Sequence, residues 1–116
     1  MAYVDGFVVA VKADRKEEYR AFAAKAAPLF REFGATRQVE CWGDDVPDGK
    51  LTDFRMAVKA EPDEVVVFGW IEYPSKDVRD AAMQRMMSDP RMEALGEMPF
   101  DGKRMIYGGF APILEV

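Results

Sequence analysis

Four polar side chains interrupt otherwise apolar stretches of this chain: Asp5 in YVDGFVVAVK, Glu40 in ATRQVECWGDD, and Arg104 and Tyr107 in KRMIYGG. A carboxylate inside an apolar strand has to be paired or hold its proton more tightly than in water, and acid–base chemistry gathers at such groups. Asp5 or Glu40 would act as the base, and Arg104 or Tyr107 would stabilise charge developing on a substrate. Trp42, Trp70, Met86 and Met98 offer flat or pliable apolar surface for a small apolar, aromatic or polyketide-like ligand. The competing reading is structural: Arg104 forms an ion pair with Asp5 or Glu40, and the remaining polar groups mark strand ends.

The sequence contains no histidine. That removes the commonest general base and metal ligand and the usual haem ligand, and leaves chemistry to carboxylates, Arg, Lys, Tyr, Cys41 or a bound cofactor. No cofactor and no metal is expected. Cys41 has no histidine to lower its pKa, which favours a buried structural thiol over a nucleophile. The methionines (Met56, Met83, Met86, Met87, Met92, Met98 and Met105 among them) read as gap-filling core rather than copper ligands, because no histidine accompanies them. Residues 44–55 resemble a calcium loop only in part. Asp44, Asp48 and Gly49 fit, but Val46 and Arg55 stand where ligands are needed, so the stretch reads as a polar turn. Gly108-Gly109 follows a strand with no helix after it, so it reads as a bend rather than a phosphate loop.

The bulk properties narrow the field. At 116 residues, 49% hydrophobic and 32% charged, the chain is expected to form one domain, 1–116, with a real core. A net charge of −5 argues against nucleic acid, which demands a basic surface. No apolar run approaches the roughly 18 residues of a membrane span. The N-terminus shows no signal-peptide pattern, and one cysteine suits a reducing compartment, so a cytoplasmic location is expected.

The elements that position these residues follow from periodicity. Glu64–Tyr73 (EVVVFGWIEY) is β-branched and aromatic, bounded by prolines, and apolar on both faces, which predicts a central strand. Tyr3–Lys12 predicts a second, with Gly6 marking a bulge or a close approach. Asp14 and Glu17 spell a capping box, and the helix they open ends at Gly34, with Pro28 expected to kink it. A strand follows over 35–45. Alternation of Thr52, Phe54, Met56 and Val58 predicts a further strand over 51–60, pairing as a hairpin with 64–73. Ser75 caps a second helix, Asp89-Pro90 opens a short one, and Lys103–Gly109 is the last strand. The tail 110–116 is apolar enough to dock. This order predicts an α+β, ferredoxin-like split βαβ with an antiparallel sheet, two helices on one face and an extra hairpin strand. Nothing in the chain is left to cover the second apolar face, so a homodimer packing sheet against sheet is expected.

The stretches ECWGDDVPDGK (Glu40–Lys50) and MPFDGKRMIYGGF (Met98–Phe110), with AYVDGFVVAV and WIEYPSKDVRDAAM, resemble the YbaA-like family of uncharacterised bacterial proteins over nearly the whole chain. The resemblance implies the dimeric α/β-barrel superfamily, which includes cofactor-independent monooxygenases, lactone isomerases and haem-handling enzymes. It transfers no catalytic residue, because fold does not imply function. Two functions are therefore expected as alternatives. One is a homodimer binding a small apolar or aromatic molecule, monooxygenase- or isomerase-like in its chemistry. The other is a non-catalytic dimeric binding or assembly module.

Overall fold

The computed structural model describes residues 2–116. Its centre is β1 (Tyr3–Lys12), followed by a 3-10 turn at Ala13–Arg15 and by α1 (Lys16–Phe33). Then come β2 (Arg37–Trp42), the short α2 (Phe54–Ala57), β3 (Glu64–Tyr73), α3 (Lys76–Ser88), the single turn α4 (Pro90–Glu93) and β4 (Ile106–Phe110). The strands lie in the order β2-β3-β1-β4 and pair antiparallel throughout. This is the ferredoxin-like α+β arrangement that the pattern predicts.

Pairing of β1 with β3 is unbroken from Tyr3↔Tyr73 to Lys12↔Glu64. Gly6 therefore marks no bulge; it pairs with Trp70 and Gly108, and the Phe110 ring lies 3.5 Å from where its Cβ would be. Side chains alternate across the sheet. Val9, Val11 and Val67 pack beneath Tyr19 of α1, while Ile71 and Tyr73 pack against Phe33 and Ala82 of α1 and α3. Ser75 caps α3 by accepting from the Val78 N–H, and Gly34 ends α1 at φ 125°, a conformation that glycine adopts without strain. α1 continues through Pro28 to Phe33.

Several local expectations are corrected. Residues 54–57 form a helical turn instead of a hairpin strand, and β2 pairs with β3 in its place, from Arg37↔Glu72 to Trp42↔Val67. The extra hairpin strand is absent from the four-stranded sheet. The reason is local: the Asp53 carboxylate accepts from the N–H groups of Met56 (2.7 Å) and Gly49 (2.9 Å), capping the turn. Phe54 and Val58 fit a period of two and also an i, i+4 spacing, so the alternation did not discriminate. Val58 is fully buried on Val8, Ala10 and Val66, and Phe54 meets Phe68 edge-on at 6.2 Å.

The 3-10 turn displaces the capping box, so α1 starts at Lys16 without a side-chain cap and Glu17 pairs with Arg20 instead. The last strand begins at Ile106, because the Asp101 side chain and carbonyl hold residues 101–104 in a turn. The tail does not dock on its own chain: Ile113 is 100% and Leu114 77% exposed. Among the described residues, no helix is long and apolar enough to cross a membrane.

Candidate functional site

Where α1 crosses β2 its sequence is AFAAKAA (residues 21–27). Alanine projects too little volume to fill the space between a helix and a sheet, and hollows remain on both sides of the crossing. One, of about 390 Å³, lies between α1 and β2 and is lined by Ala23, Ala27, Trp42 and Val67. Another, of about 460 Å³, extends past Phe7 and Phe30 to Met92, Met98, Phe100 and Met105. Tyr19, Ala23, Phe30, Gln38 and Glu40 line both.

The polar centre of these hollows comes from the pleat of β2. Gln38, Glu40 and Trp42 stand opposite Ile71, Gly69 and Val67, on the helix side of the sheet. Glu40 Oε1 accepts from the Tyr19 hydroxyl at 2.6 Å, and Oε2 accepts from Gln38 Nε2 at 3.0 Å. Both donors are neutral, and among the described residues no cation forms a salt bridge with Glu40. Burial, with the Glu40 carboxylate beside it, pushes the Tyr19 phenol far above its ordinary value and keeps it a donor. The bond to Glu40 also fixes the Gln38 amide, so its Oε1 faces away from the carboxylate. That oxygen is buried and has no hydrogen-bond partner among the described residues. A buried acceptor without a donor is costly, and a ligand that donates to it regains that cost.

Opposite Glu40, Gly69 makes room. A Cβ there would lie 2.3 Å from Phe7 Cζ, so the Phe7 ring rests directly on the bare backbone and borders the larger hollow.

The other polar candidates do not join Glu40. Asp5 receives a 2.9 Å hydrogen bond from Arg79 Nε of α3, with both side chains mostly buried. Burial raises the Asp5 carboxyl above its usual value, and the Arg79 charge offsets this only in part. Arg104 clamps Glu64 through two bonds of 2.7 and 2.8 Å and also reaches the Lys59 carbonyl and Asp101. Hydrogen bonding from Arg104 holds the buried Glu64 carboxyl down at about 2. The expected ion pair of Arg104 with Asp5 or Glu40 is thus corrected: each carboxylate has a different partner. Tyr107 stands 70% exposed on β4.

Of the apolar candidates, Trp42 lines the smaller hollow with Lys16 above its ring, and Met98 lines the larger. Met86 packs in the core against α1 and α3 residues. Trp70 lies on the outer face of the sheet, and its indole N–H donates to Glu72. Cys41 is exposed rather than buried. It alternates with Glu40 and Trp42, which face the helices, so the pleat puts its thiol on the outer face of an edge strand. Among the described residues no three His, Cys, Asp or Glu side chains gather as a metal site. Sequence reading missed Tyr19 and Gln38. The signal was present in the period-two row Gln38, Glu40, Trp42 and in the alanine run facing it.

The protein is 76% identical over 116 residues to a protein of Escherichia coli (strain K12) described as "Uncharacterized protein YbaA", with 99% of each chain covered. In structure it is similar to a dimeric ferredoxin-like protein from an uncultured marine organism (TM-score 0.61, 11% identity, 100% of both chains). It is also similar to a mutant of SnoaB, a cofactor-independent oxygenase from Streptomyces nogalater (TM-score 0.57, 13% identity, 99% of this chain and 96% of that one). At such identities the structural likenesses establish the ferredoxin-like fold alone. The sequence match is of another order: residues 2–102 fit one family throughout, and the chain belongs to that family, described as "Protein of unknown function (DUF1428)".

Proposed function

We propose that this protein is a cytoplasmic homodimer that binds a small apolar or aromatic molecule between α1 and the sheet, with Glu40 as the group that accepts a proton from it. The observation that carries this reading is a carboxylate set between two hollows and held by Tyr19 and Gln38, with no salt bridge among the described residues. A carboxylate held only by neutral donors remains available to take a proton from a ligand, whereas one locked to arginine does not. Asp5 and Glu64, each bonded to an arginine, act structurally. The oxygenase among the structural neighbours makes cofactor-free chemistry on an aromatic substrate the first activity to assay.

Native mass spectrometry of protein purified gently from bacterial cells tests the binding. The expected mass is twice the chain plus a stoichiometric adduct. Glu40→Gln should keep the dimer and weaken the adduct about tenfold, the loss of one charge-assisted hydrogen bond. An adduct unaffected by the substitution, in a protein of lowered melting temperature, would make Glu40 structural and favour the assembly-module alternative.

Dimerisation rests on the outer face of the sheet. Phe68, Ile106 and Phe110 are 45%, 45% and 61% exposed there, and with Val4, Val8 and Trp70 they border an apolar hollow of about 560 Å³. Such a patch on a small protein calls for a partner, and a two-fold axis lets one copy cover the other. Phe68→Asp should weaken association at least about tenfold by burying an unpaired charge. Sedimentation at micromolar concentration reads the result; a monomeric parent protein would remove the claim.

A further inference from the structure

The protein carries a net charge of −5, yet the wall of the smaller hollow reverses that sign. Lys16, Arg20, Arg31 and Arg37 line it, and Glu40 is its one acidic residue. Arg20 is engaged by Glu17, and Arg37 alternates with Gln38 in the pleat, so its side chain turns to the outer face beside Glu72. Lys16 and Arg31 form no salt bridge among the described residues, Lys16 lying over the Trp42 ring instead. Cations ringing an apolar slot form a site for a molecule with an oily body and an anionic head. Inside, the Gln38 Oε1 without a donor calls for an O–H or N–H on that body.

We infer that the occupant is an apolar or aromatic organic acid, its anionic group held at the mouth by Arg31 and Lys16 of α1. A hydroxyl or N–H on its body donates to Gln38 Oε1. This rests on the binding reading proposed above and narrows it to one ligand class. Glu40 fits the arrangement because it lies at the inner end, bonded to Tyr19 and Gln38, while Lys16 and Arg31 stand on the α1 surface where water can reach them. The head stays in the wet, positive rim and the proton-bearing part enters the drier interior.

Two fluorescent probes with the same aromatic skeleton and N–H test this: 1-anilinonaphthalene-8-sulfonate, an anion, and neutral N-phenyl-1-naphthylamine. The wild-type dimer should bind the anion about fivefold or more tightly than the neutral probe, a preference that salt erodes. Lys16→Gln with Arg31→Gln should abolish the preference by weakening the anion down to the affinity of the neutral probe. Gln38→Leu should weaken both probes equally. Equal affinity of the wild-type protein for the two probes would overturn the inference while leaving the cavity reading intact. Ala23→Trp fills the crossing, and Ala27→Trp serves if the first variant melts early. Undiminished binding in a folded plugged variant would show the probes lie elsewhere and would overturn both readings.

Discussion

Arg104→Leu should destabilise the protein by about 3–5 kcal/mol at neutral pH, read as a drop in the urea midpoint at unchanged slope. Glu64 is 4% exposed and takes both nitrogens of the Arg104 fork. Removing the guanidinium leaves a buried carboxylate with only the Glu61 N–H. The same arginine ties the Lys59 carbonyl, while Arg55 ties those of Glu61 and Glu64, so the connection from α2 to β3 loosens with it.

The pH dependence has a definite sign. The Glu64 carboxyl is lowered from 4.5 to about 2 by folding. Its contribution is therefore full above about 4.5 and is lost as pH falls from there towards about 2. In Arg104→Leu the stabilised carboxylate is gone, so the gap between variant and parent should be widest at neutral pH and close on acidification. A gap constant from pH 7 to pH 3 would assign the loss to packing alone. Replacing both members, Glu64→Met with Arg104→Leu, should recover part of the deficit, since an apolar pair leaves no buried charge behind.

Gly69→Ala should cost about 2–3 kcal/mol, a large effect for one methyl group. The new Cβ would stand 2.3, 2.8 and 2.9 Å from three atoms of the Phe7 ring, inside any permitted contact. The hollow that the ring already borders offers it room. The variant should therefore lose ligand or probe binding along with stability. Phe7→Leu in the same chain should restore both by withdrawing the ring edge. Thermal melts and probe titrations of the single and double variants form a cycle that isolates this contact. A single variant as stable as the parent would mean the sheet bends away at no cost.

What the sequence disclosed divides along physical lines. Long stretches with one dominant signal were legible: EVVVFGWIEY is β-branched and apolar on both faces, and Ser75 and Gly34 sit at the ends of their helices for reasons of hydrogen bonding and φ. Residues 51–60 were not, because the four-residue turn they contain satisfies both periods and is decided by the Asp53 carboxylate. Glu40 could be singled out as a carboxylate in an apolar strand. Its partners could not, since Tyr19 lies 21 positions away and only the sheet register brings α1 over β2. Arg104 went to Glu64 instead of Asp5 or Glu40 for the same reason: pairing across the fold follows topology, which composition does not encode.

The position of β1 has a consequence for how the protein is made. Of the four strands this apolar one is made first, yet it is central in the sheet, and its two neighbours are β3 and β4. Val4 pairs with Glu72 on one side and with Phe110 of β4 on the other. Through most of synthesis β1 thus has two open hydrogen-bonding edges and a row of valines with nothing to cover them. The β1 edge that β4 covers closes only once residues 106–110 have been made, so a chain stalled before them is the form most exposed to aggregation.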